Sequence, residues 1–196
     1  MRQIRYSYTR PGEKRRHYIN VDDVETLLSR LPEALWSRLR AVHFNDRSGG
    51  CRLLGYVNMG HREIAICALP PRVSMTKFLA HPGSTLRRLR PSPREFGAIR
   101  GKQWPQLAVR RFVLYDVFLH ELGHLQIVDP RAKRLKRKFA SETKAGEFAS
   151  YWRSKLWLNK FDHPDPVHNP PSRDELEQLE RIMVGELACI SDDPTA

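Results

Sequence analysis

The stretch PQLAVRRFVLYDVFLHELGHLQIV, residues 105–128, constrains the fold most. It is apolar on most faces, which predicts a helix buried at the centre of a domain, and Pro130 is predicted to end it. The same stretch carries His120, Glu121 and His124, and polar groups of this kind are costly to bury without a partner. The rest of the chain must therefore surround this helix and supply a partner for these side chains.

Size and composition favour one domain with appendages. A chain of 196 residues can bury one proper core. No apolar stretch reaches the roughly 20 residues of a membrane span, and no apolar core of signal-peptide type follows the first residues, so we expect a cytoplasmic protein. The cysteines Cys51, Cys67 and Cys189 are widely separated. That spacing predicts neither a disulfide framework nor a cysteine zinc site.

Charge and proline content predict four regions. We expect a basic N-terminal arm at 1–19, a folded domain at 20–160, a Pro-rich linker at 161–171, and an acidic amphipathic helix with its tail at 172–196. The formal net charge is +12. Residues 172–196 contain seven acids and two arginines, a net of −5, which leaves +17 on the remainder. The body is thus basic and the tail acidic.

The order of periodic segments predicts an α+β domain. Two short helices are expected at 21–31 and 32–42, and then three β-rich runs, with a hairpin turn in NMGH between the last two. We expect a small, mainly antiparallel sheet from these runs. The Pro-, Gly- and Arg-rich residues 70–104 read as an irregular segment that lies over a site. After the central helix, a further long helix is predicted from ASETKAGEFASYWRSKLWLNKF.

His120 and His124 are four residues apart, which places two imidazoles above one another on a helix, where they can bind one metal ion. Glu121 lies about 100° around the helix, within reach of a water molecule beside such an ion, and is the candidate general base. A catalytic zinc ion normally has three protein ligands and one open position. The pattern therefore requires a third ligand.

Several residues compete as the third ligand. A histidine six residues after His124 is excluded, since Pro130 occupies that position. His163 and His168 are alternatives, although both lie in the Pro-rich segment. Glu142 is preferred because 18 residues allow the first helix to end and the chain to return as an antiparallel helix.

The helix of Glu142 is suited to a close approach. Ala145, Gly146 and Ala149 share its face and are small, so that helix can pack near Gly123. Glu147 points elsewhere and is expected at the surface. In the first helix, Asp116 lies one turn before His120, where it either orients the imidazole or is an ordinary hydrogen-bonded carboxylate.

HELGH together with ETKAGEFA resembles the zincin metallopeptidases whose third ligand is a glutamate, and most of all the ImmA/IrrE-type bacterial peptidases. Their second helix has a similar E-x-x-A-x-x-F-A pattern, which matches Glu142, Ala145, Phe148 and Ala149. The resemblance covers residues 20–158 in outline. It implies a zincin-like fold, one Zn²⁺ held by the two histidines and the glutamate, and hydrolysis of peptide bonds.

The predicted function is a zinc metallopeptidase in which Glu121 is the general base and a peptide binds as an added strand near REIAICAL. One alternative is a basic, nucleic-acid-associated regulatory protein with a structural or vestigial zinc site. Another is a purely structural histidine pair without metal. The basic clusters at 10–16, 87–94 and 131–138 predict at most weak nucleic-acid binding that falls with salt, with the tail as a competitor.

Overall fold

The computed structural model describes residues 3–47, 53–70, 91–127, 135–159 and 161–191. It has the predicted α+β composition, with a four-stranded sheet packed against helices. The strands are β1 (Arg5–Tyr8), β2 (Ala41–Asn45), β3 (Gly55–Asn58) and β4 (Glu63–Cys67). The helices are α1 (Val21–Ser29), α2 (Glu33–Trp36), α3 (Gln106–Phe112), α4 (Leu119–Gln126), α5 (Leu135–Leu158) and α6 (Arg173–Ser191). Among these residues no helix is long and apolar enough to cross a membrane.

The sheet is mixed, with strand order β1-β2-β4-β3. The prediction of a mainly antiparallel sheet is wrong, because only β3 and β4 pair antiparallel, while β1–β2 and β2–β4 are parallel. Helices α1 and α2 form the crossover that returns β2 in the direction of β1. The sequence RYSY of β1 alternates polar residues with tyrosines, but it lies in the basic arm, where no strand was predicted.

The β3–β4 hairpin confirms the turn predicted at NMGH. Asn58 and Glu63 are register partners, and residues 59–62 connect them. Strand β4, which contains most of REIAICAL, lies between β2 and β3. Within the described sheet the edge strands are therefore β1 and β3, so the sheet edge nearest REIAICAL is that of β3, and the binding of a peptide there stays a prediction.

Of the two short helices predicted after the arm, α1 is present over most of its predicted range, while α2 is a single turn and the end of its predicted range belongs to β2. Asn20 caps α1: its side chain accepts from the Asp23 N–H at 2.9 Å, and its own N–H donates to the Asp23 carboxylate at 3.0 Å. This reciprocal capping satisfies two of the free N–H groups at the helix start. Val24, Leu27 and Leu28 are fully buried, so α1 covers the core.

Residues 106–126 form the predicted central helix, interrupted by a π-helical turn at Val113–Phe118 between α3 and α4. All six residues of this turn are buried. Wider turns of this kind are uncommon within α-helices and occur frequently near functional sites. The helix ends at Gln126, and Pro130, the predicted terminator, lies outside the described residues.

Helix α5 returns antiparallel to the central helix, as predicted. His124 contacts Ser141 near the start of the described pairing, and Asp116 contacts Arg153 two turns and more along it. The connection at 128–134, which includes much of the basic run, lies outside the described residues. The antiparallel return is what brings residues of α5 to the HELGH segment of α4.

The Pro-rich segment 161–171 packs against the core. Val167 and His168 are buried, and the buried Arg111 of α3 donates to the Asn169 carbonyl at 2.9 Å. The same guanidinium group forms two 3.1 Å bonds with the Glu175 carboxylate. Arg111 therefore fixes the start of α6 to the central helix.

Helix α6 begins with the capping box predicted for SRDE. The Ser172 hydroxyl accepts from the Glu175 N–H at 3.1 Å, and the Ser172 N–H donates to the Glu175 carboxylate at 2.8 Å. Farther along, Glu180 forms an ion pair with Arg94. Within the irregular segment 70–104, residues 71–90 lie outside the described residues. The prediction that this segment covers a site therefore stays a prediction.

Candidate metal centre

His120 and His124 form a facing pair on α4. Their ring centroids are 4.7 Å apart and the rings are nearly perpendicular. The two Nε2 atoms are 3.1 Å from one another, so both imidazoles direct the same ring nitrogen to one point. Both side chains are largely shielded from solvent, with 15% and 11% of their surface exposed. The helical spacing thus produces the convergence that the sequence predicts.

Glu142 of α5 completes the group. Its Oε2 atom is 3.1 Å from the His120 Nε2 atom, and its Oε1 atom is 3.4 Å from the His124 Nε2 atom. The three side chains offer ligand atoms that all lie within 4.8 Å of one another. Among the described residues this is the group that could hold a metal ion.

The separations within this group fit a zinc ion. Zinc binds histidine nitrogens and carboxylate oxygens at about 2.0–2.2 Å in tetrahedral geometry, so neighbouring ligand atoms should be about 3.3 Å apart. The closest contacts here are near that value: 3.1 Å between the two Nε2 atoms, and 3.1 and 3.4 Å from these atoms to the two different oxygens of Glu142. Two imidazoles and one carboxylate are also the donor types that zinc prefers at catalytic sites.

Ser141, which is not among the predicted site residues, contacts the other ring nitrogen of His124. Its Oγ atom lies 3.2 Å from the His124 Nδ1 atom. A proton on Nδ1 can be donated to this hydroxyl, and the Nε2 lone pair then faces His120 and Glu142. The only sequence feature that points to Ser141 is its position directly before Glu142, and serine is too common in helices for this feature to identify a site residue.

Small residues allow the two helices to meet. A Cβ atom placed on Gly123 would lie 3.1 Å from both the Cα atom and the carbonyl oxygen of Ala145. Ala145 and Ala149 are buried, while Gly146 is half-buried and Glu147 is exposed. This is the packing predicted from the small face of the Glu142 helix, and Glu147 is at the surface as expected.

Electrostatic coupling links Glu142 to the histidines. Hydrogen bonds from His120 and His124 outweigh burial and hold the pKa of Glu142 far below its usual range. Burial disfavours protonation of His120, but the Glu142 hydrogen bond and the surrounding carboxylates together raise the pKa of His120 above its ordinary value. The carboxylate of Glu142 and the imidazole of His120 therefore each favour the charged form of the other.

Glu121 is buried beside this group, with 8% of its surface exposed. Burial raises its pKa above the ordinary range, against the opposing effect of the two histidines. Its carboxylate forms no hydrogen bond or ion pair within the described part of the chain. Glu121 interacts electrostatically with Cys67, but burial above all raises the pKa of this thiol to about 11, so the cysteine is unreactive near neutral pH.

Asp116 is held by an arginine of the opposite helix. Its Oδ1 atom accepts a 2.7 Å hydrogen bond from Arg153, which also donates to Glu95 at 2.8 Å. Of the two interpretations of Asp116, the structure thus shows a hydrogen-bonded helix carboxylate rather than a direct partner of the His120 ring. Arg153 was not predicted, because only the antiparallel register places it opposite Asp116.

The alternative third ligands lie elsewhere. The His168 Nδ1 atom is 3.2 Å from the Tyr115 hydroxyl, and its ring packs against His163 with centroids 4.4 Å apart. Both histidines belong to the segment that packs near α3, and neither joins His120 and His124. Comparisons of the chain with protein-family models, with curated proteins and with solved structures gave no match.

Proposed function

We propose that this protein is a zinc-dependent metallopeptidase. The observation that carries the proposal is the convergence of His120, His124 and Glu142, whose ligand atoms approach one another at 3.1–3.4 Å. A bound Zn²⁺ would polarise a peptide carbonyl and lower the pKa of a water molecule to about 7. The resemblance of HELGH and ETKAGEFA to zincin peptidases supports the choice of peptide hydrolysis.

Glu121 is the residue to which we assign proton transfer. It follows His120 directly, and its buried carboxylate forms no hydrogen bond or ion pair with the residues that the structure describes. Its role is to accept a proton from the attacking water and to donate it to the leaving amine. A partly desolvated carboxylate suits both steps, because its affinity for a proton lies between those of a free carboxylate and an amine.

The edge strand β3 is the surface to which we assign the peptide. Among the described residues β3 pairs on one side only, with β4, so its other side can pair with an extended backbone. Gly55 packs closely here: a Cβ atom on it would lie 3.1 Å from the Val117 side chain of the central helix. Strand β3 therefore lies against the central helix that also carries the histidines, and this proximity supports the choice of β3 as the peptide-binding strand.

The proposal is tested with Glu121→Gln, which preserves side-chain shape and all three ligands. Cleavage of a denatured protein or a fluorogenic peptide mixture should fall by at least about 100-fold, while zinc content stays at the wild-type level. Glu147→Gln, which changes an exposed carboxylate on α5, is the matched control and should cleave normally. Undiminished cleavage by Glu121→Gln would remove this residue from the mechanism.

The nucleic-acid alternative has less support from the described residues. The basic cluster at 10–16 lies wholly within the described residues. In this cluster Arg15 forms a 2.6 Å ion pair with Asp46 and donates to the Ala68 carbonyl. That arginine stabilises the fold and is only partly exposed. Residues 87–90 and 131–134 lie outside the described residues, so weak, salt-sensitive binding stays a prediction.

A further inference from the structure

Four arginines line one concavity at the end of the sheet where β1, β2 and β4 begin. The cavity has a volume of about 320 Å³, and its lining residues are Gln3, Arg5, Ser37, Arg38, Leu39, Arg40 and Arg62. Four of the seven side chains are therefore cationic, and none is acidic. The cavity is formed by the amino-terminal ends of the strands and the turn after α2. It does not include the residues of the metal centre.

Backbone hydrogen bonds hold three of these arginines at the starts of neighbouring strands. The Arg5 N–H donates to the Arg40 carbonyl at 3.0 Å, and the Arg40 N–H donates to the Arg62 carbonyl at 2.9 Å. Arg5 begins β1, Arg40 precedes β2 and Arg62 precedes β4, so all three lie at the amino-terminal ends of mutually parallel strands. Neighbouring strands are about 4.8 Å apart, so three cations lie close together at this end of the sheet.

This concentration of charge is poorly compensated. Arg5 has a 3.4 Å contact with Glu63, but 76% of the Arg5 side chain is exposed. Within the described ranges, the side chains of Arg38, Arg40 and Arg62 form no ion pair or hydrogen bond. Adjacent like charges on a sheet are destabilising, so the arrangement has an electrostatic cost that a bound anion would relieve.

Arg62 adds a second unfavourable feature. Its φ angle is 59°, in the left-handed region that a glycine or asparagine would occupy more readily at a hairpin turn. Arg62 directly precedes β4, and with this backbone conformation it lines the cavity.

We propose that this concavity binds a small phosphate-bearing anion, of the size of a diphosphate or a compact organic phosphate. Guanidinium groups form paired hydrogen bonds with phosphate oxygens, and several arginines together can bind more than one phosphate group. Gln3 and Ser37 add neutral hydrogen-bonding groups to the wall. A volume of about 300 Å³ is at the lower end of small-molecule sites, and the lining has no aromatic side chain on which a nucleic-acid base could stack.

Inorganic pyrophosphate is the probe, titrated calorimetrically into the full-length protein at a fixed physiological salt concentration. We expect saturable binding at one site per chain, weakened at least about 10-fold by Arg40→Gln and by Arg38→Gln. Arg100→Gln removes one charge from an exposed arginine outside the cavity and should leave the affinity unchanged. The His120→Ala variant should also bind normally, which separates this site from anion binding at the metal centre.

Three results would overturn the proposal. The first is the absence of saturable binding by a wild-type protein whose circular dichroism shows that it is folded. The second is an equal loss of affinity in Arg100→Gln and Arg40→Gln, which would show a general effect of net charge. The third is tighter binding of a single-stranded oligonucleotide than of pyrophosphate that persists in Arg40→Gln, which would assign the anion affinity to a different, extended surface.

Discussion

Gly123 of α4 and Ala145 of α5 are so close that a Cβ atom on Gly123 would lie 3.1 Å from the Ala145 Cα atom. This contact sets the separation of the two helices one residue before His124 and three residues after Glu142. Because backbone atoms are the neighbours, a rotamer change cannot relieve added bulk. The distance between the histidines and the glutamate therefore depends on the absence of one side chain.

Gly123→Ala should force the helices apart. We expect a loss of about 1–3 kcal/mol in the free energy of unfolding in urea, the range for overpacking a tight interior, together with weaker zinc binding. Gly60→Ala is the control, since its nearest neighbour would be 3.7 Å from the new Cβ atom, an ordinary contact. Equal stability of the two variants would show that the helix contact is looser than the structure indicates.

Glu142→Ala tests the choice of the third ligand. Removal of a direct ligand should weaken zinc affinity by at least about 100-fold, the upper end of what losing an outer hydrogen-bond partner costs. Glu147→Ala removes the same charge from an exposed position on the same helix and should bind zinc normally. Competition with a chromophoric chelator measures both, and similar affinities would mean that the wrong carboxylate has been assigned.

The local parts of the site could be predicted from sequence, and the long-range parts less so. The spacing of His120 and His124 determines their convergence within one helix, and the small face of α5 indicated where Glu142 would approach. Arg153 and Ser141 could not be identified, because their roles depend on the register between two helices. The direction of the strands was also missed, because the sequence does not show which strands are neighbours: β4 rather than β3 pairs with β2, and β1 comes from the basic arm.

The anchoring of α6 can be tested at Glu175. Glu175→Gln should leave the buried Arg111 guanidinium without its charged partner and lower the free energy of unfolding by about 2 kcal/mol. Glu177→Gln changes an exposed carboxylate paired with Arg173 in the same helix and should have a much smaller effect. Chemical denaturation at pH 7 distinguishes them, and equal effects would contradict a structural role for the Arg111–Glu175 pair.

His168 predicts a particular dependence of stability on pH. Burial, aided by His163 and nearby arginines, lowers its pKa from 6.5 to about 4. Between these values the unfolded chain binds a proton that the folded protein does not, so stability falls as the pH is lowered from 6.5 to 4 and this contribution levels off below 4. The slope from one such group is at most about 1.4 kcal/mol per pH unit.

Denaturant titrations of wild type and His168→Gln between pH 4 and pH 7.5 test this dependence. The variant lacks the titrating group, so the difference in unfolding free energy between the two proteins should shrink as the pH falls through this window. A difference that stays constant with pH would show that His168 ionises alike in the folded and unfolded chains.

Zinc content is the most direct test of the metal centre. Purified wild-type protein, dialysed against zinc and then against metal-free buffer, should retain one zinc ion per chain by elemental mass spectrometry. His120→Ala, prepared identically and shown by circular dichroism to be folded, should retain far less than one. Equal zinc in the two proteins, or none in the wild type, would contradict the assignment of His120, His124 and Glu142 as a metal site.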